Sequence, residues 1–125
     1  MRAISIRIGP VVIDIEPLDT PTATEIARHI PFTSTARTWG EEVYFSAPAR
    51  VAKEGDARDV VEPGEIAYWT EGNCIAIGYG RTPVSRGNEI RRATATNIWG
   101  KALTDVKSLS RVKEGDEVSV TFSDK

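Results

Sequence analysis

Residues 38–45 read Thr38-Trp39-Gly40-Glu41-Glu42-Val43-Tyr44-Phe45 (TWGEEVYF). The stretch opens on a bulky aromatic and a glycine and then alternates. Val43 and Phe45 fall on one face of an extended chain and Tyr44 on the other. Pro48 ends the run. The pattern is that of a short strand entered through a corner, with Gly40 permitting the bend and Trp39 covering an end. The two glutamates invite a second reading, as paired catalytic carboxylates. Adjacent strand residues point to opposite faces, so Glu41 and Glu42 cannot form such a pair from one strand. At most one of them faces any given pocket. At a barrel mouth, burial would raise the pKa of that one and fit it for acid or base work. The alternative is a solvated strand start.

Working outward, the same period of two recurs. Ile4, Ile6 and Ile8 alternate with Ser5 and Arg7, Gly9-Pro10 breaks the run, and Val11, Ile13 and Ile15 resume it, which predicts an opening hairpin. Glu65 to Trp69 alternates Ile66 and Tyr68 with Ala67 and Trp69. Cys74 to Tyr79 sets Ile75, Ile77 and Tyr79 against the small residues Cys74, Ala76 and Gly78, a pattern suited to the taper of a tightly curved barrel. Ala93 to Trp99 and Glu117 to Phe122 complete the strand candidates. One segment differs. Thr20 precedes Pro21, and Ala23, Ile26, Ala27 and Ile30 follow helical spacing, with Thr22 and Glu25 as an alternative capping box and Pro31 as the stop. Thr104 to Ser110 predicts a short helical turn capped by Thr104. Lys53-Glu54-Gly55-Asp56, Glu62-Pro63-Gly64-Glu65 and Lys113-Glu114-Gly115-Asp116 are recurring turn chemistry, each with a glycine where a turn uses positive φ. The reading is one mostly-β domain over residues 1–125: a closed barrel with one α-helix in the N-terminal half and a short helical turn near the C-terminus.

The balance of charge excludes some partners. Sixteen basic and eighteen acidic residues give a net charge of -2, without a basic stripe for nucleic acid or a membrane-surface face. One cysteine, Cys74, allows no internal disulfide and fits a cytoplasmic setting. No apolar run approaches the roughly 20 residues of a membrane span. The single histidine, His29, has no Cys or His partner nearby, so neither a metal nor a cofactor is expected.

Three phrases then look familiar together: TWGEEVYF with Pro48 after it, Pro63-Gly64-Glu65-Ile66-Ala67-Tyr68-Trp69 followed by Gly80-Arg81-Thr82-Pro83, and the helix before Ile30-Pro31-Phe32. In this order they resemble a family of small prokaryotic cyclophilin-like proteins, over nearly the whole chain. The resemblance implies a closed cyclophilin-type β-barrel with its helix at a barrel opening. True cyclophilins are peptidyl-prolyl isomerases, and their site resembles an Arg followed by a Phe-Met-x-Gln-Gly-Gly-Asp stretch, with a Trp and a His lining a proline pocket. Here Phe45 is followed by Ser46-Ala47-Pro48, and His29 lies on the early helix. The resemblance therefore carries the fold and not the isomerase site.

The candidate site follows from aromatic and polar residues at strand ends. Trp and Tyr join an apolar body to a polar tip and so line pockets as well as cores. Trp39, Glu41, Tyr44, Trp69 and the Gly80–Arg92 loop, with Arg81 and Thr82 at its start, are expected to border a groove. Arg81 is placed to hold a carboxylate or phosphate in a two-pronged bond, and the plainer reading is an exposed Arg in a Pro-bearing turn. Arg86, Arg91 and Arg92 make that loop locally basic, which suits an anionic partner or a subunit contact. The expected function is a binding module for a peptide or small molecule without isomerase activity. The alternatives are a weak prolyl isomerase, another enzyme using a barrel-mouth carboxylate, or an assembly protein. Monomer and homodimer both remain open.

Overall fold

The computed structural model of the chain describes residues 2–123. The opening hairpin forms as the alternation predicts, from β1 (Ile4–Ile8) and β2 (Val11–Pro17), with Ile4, Ile6, Ile8, Val11, Ile13 and Ile15 all buried. Helix α1 (Pro21–Arg28) follows. The Thr20 side chain caps it by accepting from the Ala23 N–H at 3.1 Å. Thr20 is thus the cap and the Thr22–Glu25 box does not form, because the Glu25 carboxylate points forward to Arg28 and His29 instead. Thr22 Oγ1 donates to Glu54, and Asn97 Nδ2 donates to Thr22 Oγ1, so the helix start is tied to the 50s loop and the sheet.

The remaining strands are β3 (Phe32–Thr35), β4 (Arg37–Thr38), β5 (Glu42–Ser46), β6 (Arg58–Val61), β7 (Glu65–Trp69), β8 (Cys74–Gly78), β9 (Ile90–Ala102) and β10 (Glu117–Phe122). They form one antiparallel path in the order β3-β10-β1-β2-β9-β7-β8-β5-β4, with β6 paired to β9. The two ends of that path are consecutive in the chain. Segment 32–38 pairs with β10 in its first half and with β5 in its second. Between them, Ala36 donates its N–H to the Asp116 carbonyl at 2.8 Å and accepts from the Gly115 N–H at 2.8 Å. The sheet is therefore a nearly closed barrel, filled by a single apolar cluster that includes Phe45, Tyr68, Trp99 and the isoleucines of β1, β2, β7 and β8.

Several expectations are corrected. Strands β3, β4 and β6 were not legible as alternating runs. Strand β9 is thirteen residues long, so Ile90 to Arg92, expected in a loop, are already strand. The helical turn is a 3-10 helix, Val106–Arg111, capped by Asp105, whose carboxylate accepts from Lys107 N–H. Thr104 Oγ1 accepts from Asp14 N–H instead. Of the three recurring turns, Gly64 and Gly115 have positive φ and Gly55 does not. The small residues of β8 do not serve the inner taper. Ile75 and Ile77 face the core, which puts Cys74, Ala76 and Gly78 on the outer face of the barrel. No helix among the described residues is long and apolar enough to cross a membrane.

Candidate functional site

That outer small-residue face is the floor of a cleft of about 260 Å³. Alternation puts three neighbouring strands in register there. Tyr44 of β5 lies opposite Ala76 of β8, and Ala76 lies opposite Ala67 of β7. Residues two positions away share the face, which adds Glu42 on β5 and Trp69 on β7. Small side chains on the middle strand leave a trough between the larger ones on either side. Trp39, Tyr44 and Trp69 are its aromatic walls, and Arg92, Ala93 and Thr96 of β9 complete the lining. The Trp69 indole N–H donates to Thr94 Oγ1 at 3.0 Å, which fixes the ring's orientation.

The start of β9 crosses over the outer face of β8. A Cβ added at Gly78 would overlap Ile90 Cγ2 and come within 3.2 Å of an Arg92 terminal nitrogen. Glycine at this place is what lets Arg92 lie against the sheet. There Arg92 is 3% exposed and donates one terminal N–H to Glu42 Oε1 at 2.5 Å and the other terminal group to the Ala76 carbonyl at 3.2 Å. Its Nε is buried without a partner among the described residues. Glu42 is 7% exposed. Burial raises its pKa above the usual carboxylate value, and the charge and hydrogen bond of Arg92 oppose that shift. The cleft thus joins aromatic walls to a buried acid–base pair.

Of the sequence candidates, Trp39, Tyr44 and Trp69 meet in this cleft. Glu41, Arg81 and Thr82 are not among its lining residues. Glu41 Oε1 accepts from the Arg81 N–H at 3.0 Å, while backbone bonds pair Glu41 N–H with the Arg81 carbonyl and Tyr79 N–H with the Glu41 carbonyl. Gly40, at φ +57, brings its Cα to where an added Cβ would sit 2.9 Å from the Arg81 carbonyl oxygen. Arg81 donates to the Ser85 carbonyl at 3.2 Å. Thr82 Oγ1 donates to the Arg91 carbonyl at 2.5 Å, one residue before Arg92. These three hold the loop against β5 and steady the start of β9. The Arg cluster is dispersed by pairing: Arg91 binds Asp59 and Glu89, and Arg92 binds Glu42.

Glu42 was visible in the sequence as one of two alternatives, and its shared face with Tyr44 is the signal that separates it from Glu41. Arg92 carried no such signal, because its partner is fifty residues away. Among the described residues no group of three or more His, Cys, Asp or Glu is placed to hold a metal ion. His29 caps the end of α1 and contacts Glu25, and Cys74 is buried with its thiol directed to the Gly72 carbonyl.

A nearly closed antiparallel barrel with one α-helix and a 3-10 turn is the architecture expected of a cyclophilin-like protein. The family described as cyclophilin-like matches residues 2–121, and the chain belongs to it. Among solved structures, a hypothetical protein from Archaeoglobus fulgidus, AF2241, is 35% identical, with a TM-score of 0.83 over 98% of this chain and 95% of that one. A structure of McbB in complex with tryptophan shares the fold at 13% identity and a TM-score of 0.72, over 98% of this chain and 45% of that one. No curated protein matches the chain.

Proposed function

We propose that the protein is a binding module whose outer cleft takes a small molecule or one residue of a peptide, without prolyl isomerase activity. The observation that carries this reading is an open cleft with three aromatic walls and a buried Glu42–Arg92 pair on its lining. Mostly apolar concavities with a few convergent polar groups are the usual form of ligand sites. Their common volumes run from about 300 to 1,000 Å³ for drug-sized ligands. At about 260 Å³ this cleft suits one ring or one amino-acid residue, not a long peptide.

The three tryptophans supply the test. Trp39 and Trp69 line the cleft, and Trp99 is buried in the core. Titration of the free protein with proline-containing peptides and a metabolite library is expected to move the Trp39 and Trp69 indole resonances saturably and leave Trp99 in place. Absence of any saturable shift at the cleft residues overturns the reading.

A second reading is favoured by one observation, the burial of the Glu42 carboxyl on the cleft lining, which raises its pKa and suits it to act as a general acid. It makes the protein an enzyme acting on the same ligand. A protease-coupled X-Pro assay separates the isomerase version. The binding-module reading expects no rate above background, and a rate abolished by Glu42→Gln would replace it.

A further inference from the structure

The guanidinium of Arg92 is underused for a buried cation. Arginine carries five N–H donors in a planar fork. Among the described residues, two of Arg92's have partners, one on Glu42 and one on the Ala76 carbonyl, and its Nε has none. Buried donors are paired in the great majority of cases, and one left unpaired loses its hydration without compensation. Arg92 lines an open aromatic cleft, so an acceptor on a ligand that reaches it would supply a partner the described residues do not. A carboxylate is the ligand group that matches a guanidinium in two-pronged geometry.

Charge decides what must accompany it. With Glu42 ionised, the Glu42–Arg92 pair is neutral, and a ligand carboxylate would add a second negative charge within a few ångströms of the first. Two carboxylates sharing a site favour protonation of one of them. The charged and titratable groups facing Glu42 are Arg92 from β9 and Cys74 from β8, with Arg37 of β4 acting on that same thiol, and Tyr44 follows on its own strand. None of these supplies a second cation in contact with Glu42. Its burial already favours the neutral acid, and a ligand that expels water from the cleft strengthens that preference.

We propose that the cleft takes a small ring-bearing carboxylic acid, its ring between Trp39, Tyr44 and Trp69 and its carboxylate on the unused N–H groups of Arg92, and that Glu42 takes up one proton from solvent as the ligand binds. This rests on the binding-module reading and adds the ligand's chemical class and its linkage to protons. A protonated Glu42 also turns from acceptor to donor, and its O–H can donate to the incoming carboxylate. The site then holds Arg92 as cation, the ligand as anion and a neutral acid between them.

The test uses phenylacetate, indole-3-acetate and cyclohexanecarboxylate beside their primary amides, titrated calorimetrically into the wild-type protein in buffers of different ionisation heat. The acids are expected to bind about tenfold tighter than the amides, the difference between charged and neutral hydrogen bonds. At a pH between the pKa of Glu42 in the free protein and its higher value in the complex, close to one proton should be taken up per acid bound. Across that range affinity should weaken by up to about tenfold per pH unit as pH rises, and it should fall again on the acid side where the ligand's own carboxylate protonates. Glu42→Gln should abolish both the proton uptake and the pH dependence of whatever acid binding remains. The wild-type calorimetry decides even where that variant folds poorly. Amides binding as well as acids, or acids binding without proton uptake, overturn this inference and leave the binding module standing. So does binding by another library compound when none of these probes binds. No saturable ligand in either series overturns both.

Discussion

Glu42 and Arg92 are fifty positions apart in the chain and 2.5 Å apart in space. Their pair is also the most deeply buried of the ion pairs, with side chains 9% and 2% exposed. A buried pair gives back in attraction much of what it loses in hydration, so its net contribution is small, yet removal of one partner strands the other charge. Arg92→Leu is therefore expected to destabilise the protein by about 3–5 kcal/mol, and the double variant Glu42→Leu with Arg92→Leu to recover most of that loss. Urea unfolding of the two single variants and the double variant checks this. Equal stability of Arg92→Leu and wild type would show that the guanidinium is not desolvated as the structure has it. The chemistry at this scale was partly legible. Alternation along 42–46 separates Glu42 from Glu41, but no local pattern in 86–92 marks Arg92 among its neighbouring arginines. Pairing across the barrel selected it.

At the scale of elements, the turn from β6 to β7 is fastened by Arg58 and Glu65. The guanidinium donates to both Glu65 oxygens, at 2.9 and 2.7 Å, and the Glu62 N–H donates to one of them at 2.7 Å. The hydrogen bond from Arg58 is the main cause that holds the Glu65 carboxyl below the usual carboxylate range, with the Glu62 N–H adding to it and partial burial opposing. A depressed folded pKa means stability that is present above the unfolded value, near 4.3, and lost as pH falls through the folded value. Arg58→Met is thus expected to lower the urea midpoint at pH 7 and to approach wild type at pH 3. A gap that persists unchanged at pH 3 would assign the effect to packing by the arginine stem. Arg58 is half exposed, so the effect is modest. Elements were legible where one face is apolar, as in β1, β2, α1, β7 and β8. Strand β6 reads Arg58-Asp59-Val60-Val61 and has no alternation to read, because it is specified by its pairing to β9.

For the whole molecule, barrel closure depends on a short segment with little apolar signal. Segment 32–38 joins β10 to β5, and Ala36 makes the joint with two backbone hydrogen bonds to the 115–116 turn. Ala36→Pro removes the N–H that reaches Asp116 and cannot continue the strand. It is expected to cost about 1–3 kcal/mol from the unpaired carbonyl alone and to loosen closure, seen as faster amide exchange in both β10 and β5. Fast exchange confined to one of the two strands would mean that closure does not run through Ala36. The amino-acid sequence by itself determined the class of fold, since period-two alternation, a single capped helix and glycine-bearing turns are local properties that each residue expresses against its neighbours. It also placed Trp39 and Trp69 near strand ends and Tyr44 on the strand face opposite Val43 and Phe45. Only the tertiary structure decided which face of β8 is the outside, that the start of β9 folds over it, and that Glu42 and Arg92 meet beneath the aromatic walls. Alternation specifies that two faces differ, and burial against distant strands specifies which of them becomes the cleft.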